Sequence, residues 1–82
     1  MVIKIFWQPE CPNCPKAKEF GEILQREGHK VEFHNVKEVD GLSESLFYDV
    51  LSTPSIIVVE DGEKKAAWYG QVPDIEKIKD VL

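Results

Sequence analysis

Cys11 and Cys14 are the only cysteines in an 82-residue chain, and two residues separate them. Two residues between the cysteines bring the second sulfur back within bonding reach after one helical turn. A disulfide between them closes a loop too short to remove much chain entropy, so it stabilises little. In a reducing compartment such a pair is more often catalytic or metal-binding than structural. The pair follows a strand pattern and precedes a helix pattern, which places Cys11 at a helix start. Exposed backbone N–H groups and the positive end of the helix dipole there favour thiolate over thiol. Lys16 and Lys18 add positive charge nearby, and Glu10 opposes it. The thiolate is the attacking species in disulfide exchange. Cys11 is therefore the expected nucleophile and Cys14 the expected resolving thiol. Pro12 stiffens the turn and suits an early helical position, and Asn13 completes the loop. Pro15 disfavours helical geometry at Cys14, so the helix either begins at Pro15 or has a distorted first turn.

Three other uses of the cysteines stay open on residues alone. Cys11-x2-Cys14-x14-His29-x4-His34 satisfies a zinc-finger spacing. That finger needs its cysteines on a hairpin and its histidines on a helix, whereas here a helix pattern intervenes and His34 falls in a strand pattern. An iron–sulfur cluster bridging two chains is a second use. Inert core thiols are a third, though a proline-flanked pair at a strand-to-helix turn is an exposed place.

The elements that position the pair can be read from periodicity. Val2–Trp7 is an apolar run bounded by Pro9 and reads as a buried strand. Lys16–Glu27 reads as an amphipathic helix with Ala17, Phe20 and Leu24 on one face, ended by Gly28. Val31, Phe33 and Asn35 alternate with Glu32 and His34 in a second strand. Leu42, Leu46, Phe47, Val50 and Leu51 recur at helical spacing, with Asp40 or Ser43 available as a cap. Ser55–Glu60 is a central strand, and Asp61-Gly62 predicts a hairpin returning over Glu63–Tyr69. Pro73–Leu82 is a last helix with Ile75, Ile78 and Leu82 inward. The order β-α-β-α-β-β-α predicts a four-stranded mixed sheet with helices on both faces. Strands joined through a helix are expected to be parallel, and the final hairpin adds an antiparallel edge.

Composition narrows the function classes. The length allows a single domain, residues 1–82. Hydrophobic residues make up 43%, which fits a globular chain. The net charge of -5 argues against nucleic-acid binding. No apolar run approaches the ~20 residues that span a bilayer, and the opening MVIKIFWQPE lacks the features of a signal peptide. A cytoplasmic monomer is the expectation. His29 and His34 read as solvated surface residues, and Trp7, Trp68 and Tyr48 as packing.

With the order of elements and Cys11-Pro12-Asn13-Cys14 together, the chain resembles the glutaredoxin branch of the thioredoxin superfamily. Gln8-Pro9-Glu10-Cys11-Pro12-Asn13-Cys14 looks like the family's active-site loop. Thr53-Pro54 looks like the pair whose proline is cis and faces the cysteines. Trp68-Tyr69-Gly70-Gln71-Val72-Pro73-Asp74 is similar to the W-x-G-x-x-P-D stretch of glutaredoxin-like electron donors of ribonucleotide reductase. The resemblance implies a thioredoxin-like (glutaredoxin-type) α/β fold and a thiol-disulfide oxidoreductase. Its only redox centre would be the Cys11–Cys14 disulfide, with no other cofactor and no metal. It implies substrate contacts at Gln8, Thr53, Pro54, Gly70 and Asp74. Its partners would be target protein disulfides, ribonucleotide reductase among them.

The departures bear on the electron donor. Glu10 stands where thioredoxins have Trp, and Ile5 stands near their buried acid. Gln8 replaces the Lys with which many glutaredoxins hold the glutathione carboxylate, and Gly70-Gln71 replaces their Gly-Gly pair. The neutral Gln8, the negative charge of Glu10 beside Cys11 and the likeness over Trp68–Asp74 to reductase-linked donors imply a thioredoxin-reductase-type donor rather than glutathione. The rival readings are a glutathione-dependent glutaredoxin using Cys11 alone and, from another class, an adaptor or metal-carrier module on the same fold.

Overall fold

The computed structural model describes residues 1–82. Its elements are β1 (Val2–Trp7), α1 (Cys14–Arg26), β2 (Val31–Asn35), α2 (Val39–Phe47), β3 (Ser55–Glu60), β4 (Glu63–Tyr69) and α3 (Ile75–Lys79). The four strands form one mixed sheet in the order β2-β1-β3-β4. No helix is long and apolar enough to cross a membrane.

β1 is the organising strand. It pairs in parallel with β2, Ile3 opposite Val31, and antiparallel with β3, Phe6 opposite Ser55. The return through α1 explains the parallel pair, since parallel neighbours need a crossover connection. The second helical connection departs from the parallel expectation, because β3 enters antiparallel to β1. Register explains how: β2 ends opposite Trp7 and β3 begins opposite Phe6, at the same end of the sheet. α2 therefore has to cross the sheet rather than run back along it. Its nine residues measure ~13 Å, enough to step over two strand spacings of ~4.8 Å each. The Asp61–Gly62 turn then returns β4 antiparallel to β3.

Each face of the sheet has its own core. Ile3 and Ile5 of β1, with Ile56 and Val58 of β3, face Ala17, Phe20 and Leu24 of α1 and Ile78 of α3. The opposite face is thinner, with Phe6, Ile57 and Val59 joined by Val50. α1 begins two residues earlier than expected, at Cys14. Pro15 falls in the first turn, where no helical hydrogen bond needs its missing N–H. α3 is five residues, much shorter than Pro73–Leu82.

α2 lies with the opposite side inward from the one its apolar spacing predicts. Gly41 and Ser45 are buried, whereas Leu42, Leu46 and Phe47 on the helix and Leu51 after it are exposed. A Cβ on Gly41 would lie 1.9 Å from the Asn35 carbonyl oxygen, so only glycine lets α2 approach β2 this closely. Neither expected cap forms: Glu38 holds the N-cap position, without a side-chain bond.

A charged cluster completes this face. Lys4, from the middle of β1, reaches Glu32 of β2 at 3.0 Å and also pairs with Glu44 of α2. His34 corrects the expectation of a solvated residue. Its side chain is 16% exposed, stacks on Phe6 and lies 3.0 Å from Glu32. Lys4 sits in an otherwise apolar strand, and a buried ammonium needs carboxylate partners. Burial opposes its charge, but its bonds to Glu44 and Glu32 outweigh this and raise its pKa above the ordinary lysine value. Burial likewise opposes the charge of Glu32, and its bonds to Lys4 and His34 outweigh it, lowering its pKa.

Two predictions follow from this packing. Gly41→Ala should destabilise the protein by about 1–3 kcal/mol, because the clash is with backbone that cannot yield; urea unfolding measures it. Glu32 has a lowered folded-state pKa, so its contribution is present above the unfolded value and disappears as pH falls through the folded one. Glu32→Gln should therefore be less stable than the parent at neutral pH, and the difference should narrow as pH falls below the ordinary glutamate value of about 4.3. Chemical unfolding at pH 7 and pH 3 tests this, and a gap as wide at pH 3 as at pH 7 contradicts it.

Candidate active site

Strand register gathers one end of the molecule. β1 ends at Trp7, β2 ends opposite it, β3 begins opposite Phe6, and Tyr69 at the end of β4 pairs with Ser55. The loops that leave these strand ends therefore meet at one edge of the sheet. The first carries Cys11 and Cys14, which are disulfide-bonded with Cα atoms 5.3 Å apart.

Cys14 is the first residue of α1 and is only 2% exposed, while Cys11 in the preceding turn is partly open. The Cys14 N–H donates to the Cys11 carbonyl at 3.3 Å, closing the turn. Asn13 makes no side-chain cap and no acid occupies the first turn. The positive end of the helix is thus left to the loop that holds Cys11. Glu10 adopts a left-handed backbone, φ 64°, uncommon for a residue with a side chain and a form of strain found at functional sites.

Cys11 and Cys14 line a recess of about 330 Å³ together with Trp7, Gln8, Pro9, Glu10, Pro15 and Lys18. Lys18 is one turn beyond Cys14, on the same side of α1. Its Nζ lies 3.4 Å from the centroid of the Trp7 ring, a cation–π contact that holds a positive charge in the recess. Trp7, expected only to pack, is thus a wall of the site and a seat for Lys18.

Gln8 also lines a second groove of about 300 Å³, which includes Lys37 and Thr53. The Thr53–Pro54 peptide bond is cis. Pro54 is buried, and Thr53 Oγ1 is buried without a hydrogen-bond partner, an uncommon state for a hydroxyl. Gly70 belongs to the same neighbourhood. Its N–H donates to Ser55 Oγ, which itself donates to the Ser52 carbonyl. A Cβ on Gly70 would lie 3.2 Å from Ser52 Oγ. Asp74 stands apart: it holds the N-cap position of α3 and lines a different recess with Lys16, Phe20 and Ile23. Pro12 and Asn13 are exposed and line neither the disulfide recess nor the Thr53 groove.

The zinc-finger spacing does not become a four-ligand cluster. α1 is 13 residues long, so ~20 Å of helix separates the cysteines from His29, and His34 is engaged with Glu32 and Phe6.

The thioredoxin domain family description matches residues 1–82. The chain belongs to this family. Among curated relatives, a thioredoxin of Methanocaldococcus jannaschii is 33% identical over 64 residues, covering 74% of this chain and 73% of the relative. A "Probable Thioredoxin" of Archaeoglobus fulgidus is 30% identical over 59 residues, covering 71% of this chain but only 65% of its own length. Among solved structures, a single-substitution mutant of a thioredoxin from Halobacterium salinarum superposes with a TM-score of 0.81 at 24% identity, covering 96% of this chain and 68% of the other. That likeness bears on the fold, and it is the expected thioredoxin-like α/β fold. The match is to thioredoxins in general and carries the superfamily part of the glutaredoxin-type resemblance.

Lys18, expected from the sequence to add positive charge near Cys11, is held in the recess by its contact with Trp7. Lys18→Met should lower the thiolate fraction of Cys11 in the reduced protein and slow its alkylation at pH 7 about two- to fivefold, from a charge interaction of about 0.5–1 kcal/mol. Iodoacetamide kinetics with mass mapping measure it, and an unchanged rate would assign Lys18 to packing alone.

Proposed function

We propose that this chain is a dithiol–disulfide oxidoreductase that passes two electrons from a thioredoxin-reductase-type donor to protein disulfides in the cytoplasm. One observation carries the reading: a disulfide at the first turn of α1, with one sulfur residue accessible and the other buried, on a thioredoxin fold. In the reduced protein, the Cys11 thiolate attacks one sulfur of a target disulfide. A Cys11–target mixed disulfide forms, and the second target thiolate leaves and takes a proton. The Cys14 thiol loses its proton and attacks Cys11 Sγ. This closes the Cys11–Cys14 disulfide and frees the first target thiol. The dithiol has lost two electrons and the target has gained them; the reductase then restores the dithiol.

Gln8 and Thr53 share one groove, so they are the residues assigned to hold the target chain beside the cysteines, with Pro54 and Gly70 shaping that loop. The preference for a reductase over glutathione rests on charge and placement. Gln8 is neutral, and Glu10 puts a carboxylate in the disulfide recess. Asp74, the group available to a glutathione ammonium, lines a recess that Gln8 and Thr53 do not share. A charge-assisted hydrogen bond is worth ~1.5–3 kcal/mol, so losing one weakens binding by roughly tenfold or more. The glutaredoxin-like donors of ribonucleotide reductase, similar over Trp68–Asp74, are the finer kinship this reading favours, with ribonucleotide reductase as a candidate target.

The test uses reduced protein and insulin as disulfide substrate. Cys11→Ser should abolish turnover, and Cys14→Ser should accumulate a mixed disulfide. Of the donors, thioredoxin reductase should support turnover and glutathione with its reductase should not. Retained activity in Cys11→Ser would refute the mechanism, and efficient turnover with glutathione alone would reassign the donor.

A further inference from the structure

The outward face of α2 is an exposed apolar surface to which the disulfide exchange itself assigns no role. Val39 is 80% exposed, Leu42 47%, Leu46 62%, Phe47 71% and Leu51, after the helix, 91%. Positions 39, 42 and 46 recur at i, i+3 and i+7, the spacing of a single helical stripe, with Phe47 beside it. A surface helix normally turns such a stripe to the core. Here Gly41, Ser45 and Glu44 occupy the inner side, so the apolar stripe faces water. A contiguous exposed apolar patch with a polar rim marks an interaction site.

We infer that this face docks the protein partner whose disulfide or dithiol meets Cys11, and that the partner presents aliphatic or aromatic anchors within a basic rim. The inference rests on the oxidoreductase reading and adds the class of partner surface. Two observations commit the face to that occupant. The first is continuity. Leu42, Leu46 and Leu51 line the groove that contains Gln8 and Thr53, and Gln8 in turn lines the disulfide recess. A chain seated on α2 therefore extends toward Cys11 without leaving the protein surface. The second is charge. Glu38, Asp40 and Asp49 are exposed around the stripe, and Glu44 at its inner edge is paired with Lys4. Lys37 is the one cation lining the groove, and the whole chain carries -5. A second copy would bring the same acidic rim against itself in a two-fold interface, whereas a basic rim is complementary and speeds encounter.

The experiment reads single-turnover reduction by pre-reduced protein. Three synthetic peptides each carry one cysteine as a mixed disulfide with 5-thio-2-nitrobenzoate. One has leucines and lysines flanking the cysteine, one has serines for the leucines, and one has glutamates for the lysines. Cys11 attacks the peptide sulfur and releases the coloured thiolate; Cys14 then closes the disulfide and frees the peptide thiol. The leucine–lysine peptide should react at least tenfold faster than either of the others. Leu46→Glu and, separately, Leu51→Ser should remove that preference. Both variants should keep the parent rate with the small symmetrical disulfide 5,5′-dithiobis(2-nitrobenzoate). Equal rates for the three peptides, or a preference that survives both substitutions, would overturn the docking face and leave the redox chemistry standing. No reaction of the parent with the small disulfide would overturn the oxidoreductase reading and this inference with it. Sedimentation of the parent as a dimer that Leu46→Glu dissociates would assign the face to a second copy instead.

Discussion

β1 is hydrogen-bonded along both edges, and every other part of the molecule takes its place from that strand. A strand flanked on both sides must be apolar on both faces except where a specific partner compensates a charge. Its one charged residue, Lys4, duly meets Glu32 and Glu44. Because β2 ends and β3 begins beside the last residues of β1, three connections converge where β1 delivers the chain to Cys11. The site is a by-product of pairing register. Shifting β3 by one residue would exchange its core-facing sets and move Thr53 relative to Gln8.

The parts of the fold set by local chemistry were legible in the residues. The apolar run of β1, the Ala17–Phe20–Leu24 face of α1, the Asp61–Gly62 turn and the parallel β1–β2 pair could all be read from spacing alone. The orientation of α2 could not. Its leucines have helical spacing, and spacing does not say which side of a helix faces inward. That was decided by two distant requirements, the close approach at Gly41 to Asn35 and the need of Lys4 for Glu44. His34 was misread for the same reason, since its partners lie on the same strand's inner side and on β1.

For the site, the cysteine pair carries its own chemistry in its spacing, and its placement at the start of α1 follows from the strand before it. Gln8 and Thr53 meet because their strands are neighbours. Asp74 does not join them because α3 begins only at Ile75, on the α1 side of the sheet, and its cap residue stays there. Lys18 was legible as positive charge beside the cysteines, but its seat on Trp7 was not, because that contact joins α1 to the end of β1.

The two faces of the sheet are held by different forces, and they respond differently to heat. Eight buried apolar residues join α1 and α3 to one face; four, with an ion-paired lysine, secure the α2 side. Apolar burial carries the heat-capacity change of unfolding, whereas the cost of stripping water from paired charges falls as temperature rises. The α2 side therefore loses less of its hold on warming than its small apolar area alone implies. Cooling works in the other direction.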